Sequence, residues 1–227
     1  MKLMENIMEF QVVARDGGRQ KRSVFVKKLC LGTSRTPPKT CRKSRYLLTN
    51  EDDIEVEEQR TLGEVEYVSI VDDGEVFLTT GSDHLDLTLT NMSFENAGRV
   101  YDPAKPKQLC PAVVATELWP YEDVKDHWSA LRLRSSVTIS GERVSFQDFP
   151  ASQLVDLESH FRANPSLREN GTVLFSGSGE PLPSAPPNLY NMAAGNEGIF
   201  PRDFHFEMHD PVLGRSISHG YNIHVLV

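Results

Sequence analysis

Short alternating runs joined by tight-turn signals dominate this sequence and restrict what it can fold into. GEVEYVSIV and EVFLTTG flank Asp72-Asp73-Gly74, and LRLRSSVTI and ERVSF flank Ser140-Gly141. Side chains alternate across a β-strand, and such turn residues suit two-residue hairpin loops. A third hairpin is predicted near the N-terminus, where EFQVVAR and SVFVKKL flank residues 16–19. The pattern therefore predicts a mainly β fold built from hairpins.

The helical signal is strongest in SQLVDLESHFRANPSL, with Ser152 as the expected N-cap and Pro165 as the stop. Residues 32–46 contain turn formers and two adjacent prolines, which predict a loop or surface arm. The expected fold class is thus mainly β with few helices (α+β). We expect an N-terminal arm of residues 1–50, with a hairpin and a proline-rich loop, followed by one domain of residues 51–227.

Composition limits the possible partners. The 227 residues have a net charge of -8, which argues against a general nucleic-acid binder. The basic region KRSVFVKK, which continues weakly to Lys43, is interpreted as a solvated strand face.

No apolar run is long enough to span a membrane, and the N-terminus does not resemble a signal peptide. The cysteines Cys30, Cys41 and Cys110 lack metal-ligand spacing, which favours reduced thiols in a cytoplasmic protein.

Carboxylates are concentrated around the hairpin that begins at residue 63. Glu64 and Glu66 are two positions apart in a predicted strand and so share a face, and Asp83 follows the next apolar run. Clustered carboxylates repel one another unless a cation neutralises them, and all-oxygen sets suit Mg²⁺, Mn²⁺ or Ca²⁺. The alternative is a solvated strand face, which is common in acidic proteins. The pattern alone leaves both interpretations open.

Three further features are candidates for chemistry. Lys105 or Lys107, in a proline-rich loop, could stabilise an oxyanion beside such a cation, although loop lysines usually face solvent. Residues 174–179 form a strand end rich in small residues, which could receive an anion at its N–H groups or could simply turn. His84 directly follows Asp83 and is the histidine of most interest.

Taken in order, several segments resemble the fumarylacetoacetate hydrolase superfamily. The resemblance is closer to its bacterial and fungal branch filed as domain of unknown function 2848. The segments are GEVEYVSIV, GSDHLD, KQLCP, LRLRS, GTVLFSG and DPVLGRSISHGY. Likeness to the branch covers about residues 25–226, and the wider superfamily match begins near residue 63. This resemblance implies a mixed β-sandwich roll and a homodimer.

The resemblance also implies roles for particular residues. Glu64, Glu66 and Asp83 match the superfamily's E-x-E and later aspartate, which hold Mg²⁺ or a similar ion. Lys107 (or Lys105) matches a lysine that precedes a proline. A threonine that usually touches a substrate carboxylate is replaced here, which leaves the residues around Gly177 as substitutes, namely Ser176 and Ser178.

The upstream His-Glu dyad of several hydrolases is not found, so His84 becomes the candidate acid or base. Asp86, Ser176, Gly177 and Ser178 are the expected substrate-binding residues. The expected activity is that of a divalent-metal enzyme acting on an enolisable oxo acid or 1,3-dicarbonyl. Hydrolysis, decarboxylation, tautomerisation and C–C bond-forming cyclisation share an enolate, and the choice among them stays open. A non-catalytic ligand-binding relative, and a metal-free enzyme using His84 and Asp86, are the alternatives.

Overall fold

The computed structural model describes residues 6–34, 36–90, 104–191 and 197–226. In this part of the chain the strands are Ile7–Val13 (β1), Arg19–Phe25 (β2), Lys28–Gly32 (β3), Thr40–Lys43 (β4), Leu48–Thr49 (β5), Asp53–Val56 (β6), Thr61–Leu62 (β7), Val65–Asp72 (β8), Glu75–Asp83 (β9), Leu85–Asp86 (β10), Ala112–Val114 (β11), Glu117–Pro120 (β12), Arg132–Ile139 (β13), Glu142–Pro150 (β14), Thr172–Phe175 (β15), Asp203–Asp210 (β16) and Arg215–Val225 (β17). The α-helices with both ends described are Lys105–Gln108 and Leu157–Ala163, and residues 87–90 are also helical. Short 3₁₀ segments are Arg45–Leu47, Tyr121–Asp123, Lys125–Ala130, Ala151–Gln153 and Pro165–Arg168.

Two large sheets organise the described residues. The ten-stranded sheet has the order β2-β1-β12-β9-β8-β15-β3-β4, with β11 joined to β9 and β5 joined to β11. The five-stranded sheet has the order β14-β13-β16-β17-β6, and β7 pairs with β10. Parallel and antiparallel pairs both occur, so the sheets are mixed. The prediction of a mainly β, mixed-sheet fold with few helices is confirmed.

The main core lies between the two sheets. Val65 and Tyr67 of β8 pack in one apolar cluster with Leu133 of β13 and Phe206 of β16. Because side chains alternate along β8, Val68 and Ile70 lie in a second cluster on the opposite face of the ten-stranded sheet. Strand β8 is therefore buried on both faces, and polar side chains at its start lie in a largely dry environment.

The three predicted hairpins are confirmed. β1 pairs antiparallel with β2, β8 with β9, and β13 with β14. At the second turn Asp73 and Gly74 have φ values of 50° and 77°, and at the third Ser140 and Gly141 have 53° and 85°. These left-handed conformations match the turn chemistry that the sequence indicates.

The predicted helix begins later than expected. Asp156, not Ser152, is its N-cap, because the Asp156 carboxylate accepts a 2.8 Å hydrogen bond from the backbone N–H of Ser159. Ser152 lies in the preceding 3₁₀ segment. The helix ends before Pro165, as predicted.

Two segments expected as loops contain regular structure. Within residues 32–46, β4 pairs antiparallel with β3, and its last residue, Lys43, is buried instead of solvated. The lysine-containing loop forms the short helix Lys105–Gln108. Neither element conflicts with its prolines, since Pro37 and Pro38 lie before β4 and Pro106 lies in the first turn of its helix, where proline is tolerated.

Strands of the N-terminal residues are part of the large sheet. β1 pairs parallel with β12, and β3 pairs parallel with β15. β4 follows β3 at the end of the sheet order, and its Lys43 contacts Asp83 at the end of β9. No helix in the described ranges is long and apolar enough to cross a membrane.

Candidate functional site

Three carboxylates surround the ammonium group of Lys107. Its Nζ lies 2.7 Å from Asp83 Oδ2, 3.1 Å from Glu64 Oε2 and 3.7 Å from Glu66 Oε1. The opposite charges of the lysine and the carboxylates hold this cluster together. The structure thus brings the sequence-predicted carboxylates and lysine to one point.

The β8–β9 hairpin positions these carboxylates. Val65 pairs with Ser82, so Glu64 and Asp83 occupy the next position at the end of the ladder. Glu66 lies two residues along β8 and therefore on the same face as Glu64. The E-x-E spacing and the hairpin register together account for the convergence.

Lys107, not Lys105, faces the cluster. Both belong to the helix Lys105–Gln108, but Lys105 is exposed while the Lys107 side chain is only 20% exposed. Burial works to lower the pKa of Lys107, but the charges of Asp83, Glu64 and Glu66 outweigh it and raise that pKa well above its usual value. Lys107 is accordingly held as an ammonium ion.

A second lysine, which the sequence did not indicate, completes the cluster. Lys43 Nζ lies 2.7 Å from Asp83 Oδ1, and both side chains are fully buried. Burial alone would raise the pKa of Asp83, but Lys107 and Lys43 outweigh it and lower that pKa below the usual value. The sequence signal for a strand at Lys43 was the period-two alternation of Cys41-Arg42-Lys43. These residues lie in the segment 32–46, which the sequence analysis interpreted as a loop.

The pKa of Glu66 shifts in the opposite direction to that of Asp83. Burial raises its pKa to about 8, with repulsion from Asp83 and Glu64 adding to the effect against the attraction of Lys107. Its Oε2 accepts a 2.6 Å hydrogen bond from the backbone N–H of Gly177. Its Oε1 has no hydrogen-bond partner among the described residues. One oxygen is therefore fixed by the protein, and the other faces the point where the cluster converges.

The strand end at residues 176–178 supports Glu66 and the hairpin. Ser176 Oγ donates to the Gly177 carbonyl at 2.8 Å, and Ser178 Oγ donates to the Val65 carbonyl at 2.8 Å. Gln147 Nε2 donates to Ser178 Oγ at 2.9 Å. The polar groups expected to bind substrate here are engaged with the protein, and their contact with a substrate stays a prediction.

His84 lies in a buried polar chain with a tyrosine that sequence reasoning missed. Its Nδ1 is 2.9 Å from Tyr221 Oη, which is 2.8 Å from Ser82 Oγ. Its Nε2 has no hydrogen-bond partner within the described ranges. Burial, followed by the charge of Lys43, lowers the pKa of His84 to about 3. The imidazole is therefore neutral.

Asp86 lies at the turn that follows. Its Oδ1 accepts a 2.5 Å hydrogen bond from the Leu89 N–H, and its carbonyl accepts one of 2.6 Å from Thr90 Oγ1. Burial raises the pKa of Asp86. These contacts cap the helical residues 87–90, and a role for Asp86 toward substrate stays a prediction.

The donor chemistry of the cluster fits a hard divalent cation. Oxygens of Glu64, Glu66 and Asp83 all lie within 3.7 Å of one point, and Glu66 Oε1 has an unsatisfied lone pair there. Carboxylate oxygens are the ligands that Mg²⁺, Mn²⁺ and Ca²⁺ prefer. The cation at that point in the structure is Lys107. Across residues 6–34, 36–90, 104–191 and 197–226, no three His, Cys, Asp or Glu side chains are arranged as a ready metal-binding group.

Solved structures with the same fold are distant in sequence. Cg1458 with inhibitor matches with a TM-score of 0.61 and 14% identity, covering 90% of this chain and 80% of that one. 2-Keto-3-deoxy-D-arabinonate dehydratase complexed with magnesium and 2,5-dioxopentanoate matches with a TM-score of 0.57 and 11% identity, covering 90% and 76%. Yeast ynq8, a fumarylacetoacetate hydrolase family protein, matches with a TM-score of 0.58 and 11% identity, covering 88% and 93%.

The fold and a match in sequence identify the family to which the chain belongs. The arrangement of its sheets is that of the fumarylacetoacetate hydrolase family. Residues 18–221 match the family described as "Protein of unknown function (DUF2848)", and the chain belongs to that family. The resemblance that the sequence motifs indicated is confirmed. No protein with a curated description matches the sequence.

Proposed function

We propose that this protein is a divalent-metal-dependent enzyme that acts on an enolisable oxo acid or 1,3-dicarbonyl compound. The observation that supports it most directly is the convergence of Glu64, Glu66 and Asp83 on one point beside Lys107. The dehydratase of the same fold, complexed with magnesium and 2,5-dioxopentanoate, supports both the metal and the substrate class. At 11% identity that relative supports the class of chemistry and not a particular substrate.

Glu64, Glu66 and Asp83 would hold the ion, which is Mg²⁺ or, as alternatives, Mn²⁺ or Ca²⁺. Such an ion supplies Lewis-acid stabilisation of a developing enolate oxygen. Gly177 would serve the site indirectly, because its N–H fixes one oxygen of Glu66 and leaves the other free to bind. The hydrogen bonds of Ser178 and Gln147 would keep this strand end in register with β8.

Lys107 and His84 are the proposed catalytic residues. Lys107 is partly exposed, and its ammonium group could turn from the carboxylates to an oxyanion or carboxylate of the substrate. His84 offers the unpartnered Nε2 of a buried neutral imidazole for hydrogen bonding or proton transfer. Asp86, Ser176 and Ser178 remain the proposed residues of the substrate pocket.

The reaction could be C–C bond hydrolysis, or decarboxylation, tautomerisation or cyclisation through the same enolate. A cytoplasmic homodimer is part of the proposal. A second candidate is a non-catalytic ligand-binding relative, which one observation favours: the ammonium groups of Lys107 and Lys43 already pair with the carboxylates of the cluster. These two functions differ in whether the purified protein binds a divalent cation.

The deciding experiment is calorimetric titration of Mg²⁺ and Mn²⁺ into wild type and Glu66→Gln. We expect one site in the wild type and an affinity at least about a hundredfold lower in the variant, since a buried ligand charge is lost. Glu169→Gln is the matched control, because Glu169 is an exposed carboxylate paired with Lys28 on the far side of β15 from β8. Absence of binding at millimolar Mg²⁺ in the wild type would favour the non-catalytic function. A bound ion justifies screening oxo acids for turnover.

A further inference from the structure

The helix that carries Lys107 is too short to hold its own shape. Lys105–Gln108 has four residues, and the Gln108 N–H closes a single turn by donating to the Ala104 carbonyl at 3.0 Å. A helix of this length is not stable in water by itself. Its Lys107 ammonium nevertheless lies 2.7, 3.1 and 3.7 Å from three carboxylates. Contacts with the rest of the protein must therefore hold the helix in place.

The side chain of Gln108 makes such a contact with β4. This strand ends the order of the ten-stranded sheet, so one of its edges has no neighbouring strand among the described residues. At that edge Gln108 Nε2 donates to the Arg42 carbonyl at 2.9 Å, and Gln108 Oε1 accepts from the Ser44 N–H at 3.0 Å. A side-chain amide, like a peptide group, offers both a donor and an acceptor. Gln108 thus pairs with β4 as a neighbouring strand would.

The two backbone groups that Gln108 contacts lie on either side of Lys43. The Lys43 ammonium is 2.7 Å from Asp83 Oδ1, and the Lys107 ammonium is 2.7 Å from Asp83 Oδ2. One amide side chain therefore connects the two chain segments whose lysines contact the same carboxylate.

We infer that Gln108 is a positioning residue for Lys107, because its two hydrogen bonds with β4 hold the helix from which the lysine reaches the carboxylates. This inference rests on the proposed function, in which Lys107 is catalytic, and adds the residue that keeps the lysine in place. Gln108 acts through Lys107. The helix is held, while the Lys107 side chain, which is 20% exposed, stays free to turn.

Amine labelling measures how firmly Lys107 is held. The metal-free protein is treated with a limiting amount of N-hydroxysuccinimidyl acetate, and tandem mass spectrometry gives the acetylated fraction of each lysine. Lys105 is the internal reference, since it is exposed on the same helix. Lys43 is fully buried and reports any general opening of the fold. In Gln108→Leu the ratio of Lys107 to Lys105 labelling should rise at least about fivefold, because two hydrogen bonds no longer hold the helix.

Two further variants are compared with Gln108→Leu. The carboxylate of Gln108→Glu can still accept from the Ser44 N–H but cannot donate to the Arg42 carbonyl, so its labelling ratio should lie between those of wild type and Gln108→Leu. Gln20→Leu is the matched control, because Gln20 is an exposed glutamine of β2, at the opposite end of the sheet order from β4. This control should label as wild type.

The labelling ratio decides the inference. If the ratio of Lys107 to Lys105 in Gln108→Leu equals that of wild type while Lys43 stays unlabelled, the inference is overturned. If Lys43 becomes labelled in Gln108→Leu, the fold has opened, and Gln108→Glu decides by the same criterion.

A double-mutant cycle tests whether Gln108 acts through Lys107. Under the proposed function the ion replaces the Lys107 ammonium among the carboxylates, so a loosely held lysine is displaced more readily. Gln108→Leu should therefore bind Mn²⁺ about threefold or more tighter than wild type, and should have no effect in a Lys107→Met background. A merely structural role of Gln108 would weaken Mn²⁺ binding in both backgrounds, and that result would overturn the inference.

The inference and the proposed function fail in different ways. If neither wild type nor any variant binds Mn²⁺, the proposed metal-dependent function is wrong, and the labelling ratio still decides whether Gln108 holds Lys107. If Mn²⁺ binds but the labelling ratio does not change in Gln108→Leu, Gln108 makes only a structural contact, and the inference is wrong while the proposed function stands.

Discussion

Tyr221 Oη lies 2.9 Å from His84 Nδ1, and the direction of this hydrogen bond follows from its neighbours. The backbone N–H of Glu64, which can only donate, reaches Ser82 Oγ at 3.2 Å. If the Ser82 hydroxyl then donates to Tyr221, and Tyr221 donates to Nδ1, every hydrogen from Glu64 to Nδ1 has an acceptor, and only the ring's own Nε2 stays without a partner among the described residues. The reverse direction leaves the Ser82 hydroxyl hydrogen without an acceptor among the described residues. The first direction thus leaves fewer buried groups unsatisfied, and we expect His84 to be the neutral tautomer with its hydrogen on Nε2.

We expect Tyr221→Phe to abolish this tautomer preference, because Nδ1 loses its donor. Long-range ¹H–¹⁵N NMR of histidine-labelled protein distinguishes the two tautomers, and His84→Gln identifies the signal. A wild-type signal with the hydrogen on Nδ1 would contradict the assigned direction.

If His84 transfers protons, His84→Ala should also lower turnover on a substrate found by screening by about a hundredfold or more.

Gly177→Ala should destabilise the fold by about 1–3 kcal/mol, because φ is +85° and a Cβ would lie 2.7 Å from the Ser34 nitrogen. Gly74→Ala is the matched control, with a similar φ of +77° but nothing within 4 Å of the added carbon. The free energy of unfolding of Gly74→Ala should fall only by the cost of the left-handed backbone conformation, about 1 kcal/mol. Urea unfolding of both variants measures the difference. Equal losses would mean that the contact with Ser34 relaxes freely.

Stability should fall in mild acid because of His160. Burial lowers its pKa to about 4, and neither ring nitrogen has a hydrogen-bond partner in the described part of the chain. The unfolded state binds a proton near pH 6.5, so the stabilisation is complete above that pH and is lost as pH falls through 4. The loss reaches at most about 3 kcal/mol. Urea unfolding at pH 7.5, 5.5 and 4.5 should give a smaller decline for His160→Leu than for wild type, and parallel declines would count against this role.

Asp156→Ala should destabilise the protein by about 1 kcal/mol through loss of the helix N-cap. Its carboxylate accepts from the Ser159 N–H at 2.8 Å and from the Ser159 hydroxyl at 2.7 Å. Ser152→Ala, at the exposed position that the sequence favoured as the cap, should leave stability unchanged. Thermal unfolding of the two variants ranks them. The opposite order would restore Ser152 as the cap.

Local sequence patterns were sufficient for part of the site. The E-x-E spacing and the turn at Asp73-Gly74 depend on residues within one hairpin, so the convergence of Glu64, Glu66 and Asp83 follows from alternation and register. Alternation and register act within one hairpin, and the structure agrees with both.

Lys43 and Tyr221 could not be found in this way. Tyr221 is 137 residues from His84 along the chain, and Lys43 is 40 residues from Asp83. Tyr221 belongs to the five-stranded sheet while His84 follows β9 of the ten-stranded sheet, and three strands separate β4 from β9 in the sheet order, so each side-chain pairing forms only when distant elements pack together. Local patterns carry no information about such pairing, and a buried lysine in a proline-flanked segment looks the same in sequence as an exposed one.

The parallel pairing of β3 with β15 also affects how the protein is made. Lys28 pairs with Thr172, so β3 leaves the ribosome long before its partner exists. Non-local contacts of this kind slow folding and leave a strand edge open to wrong partners. β4, and with it Lys43, depends on β3 for its place in the sheet. The β8–β9 hairpin with its carboxylates is therefore synthesised before β15, and β3 and β4 cannot dock on β15 until then. The site with Lys43 in place assembles only after most of the chain has been translated.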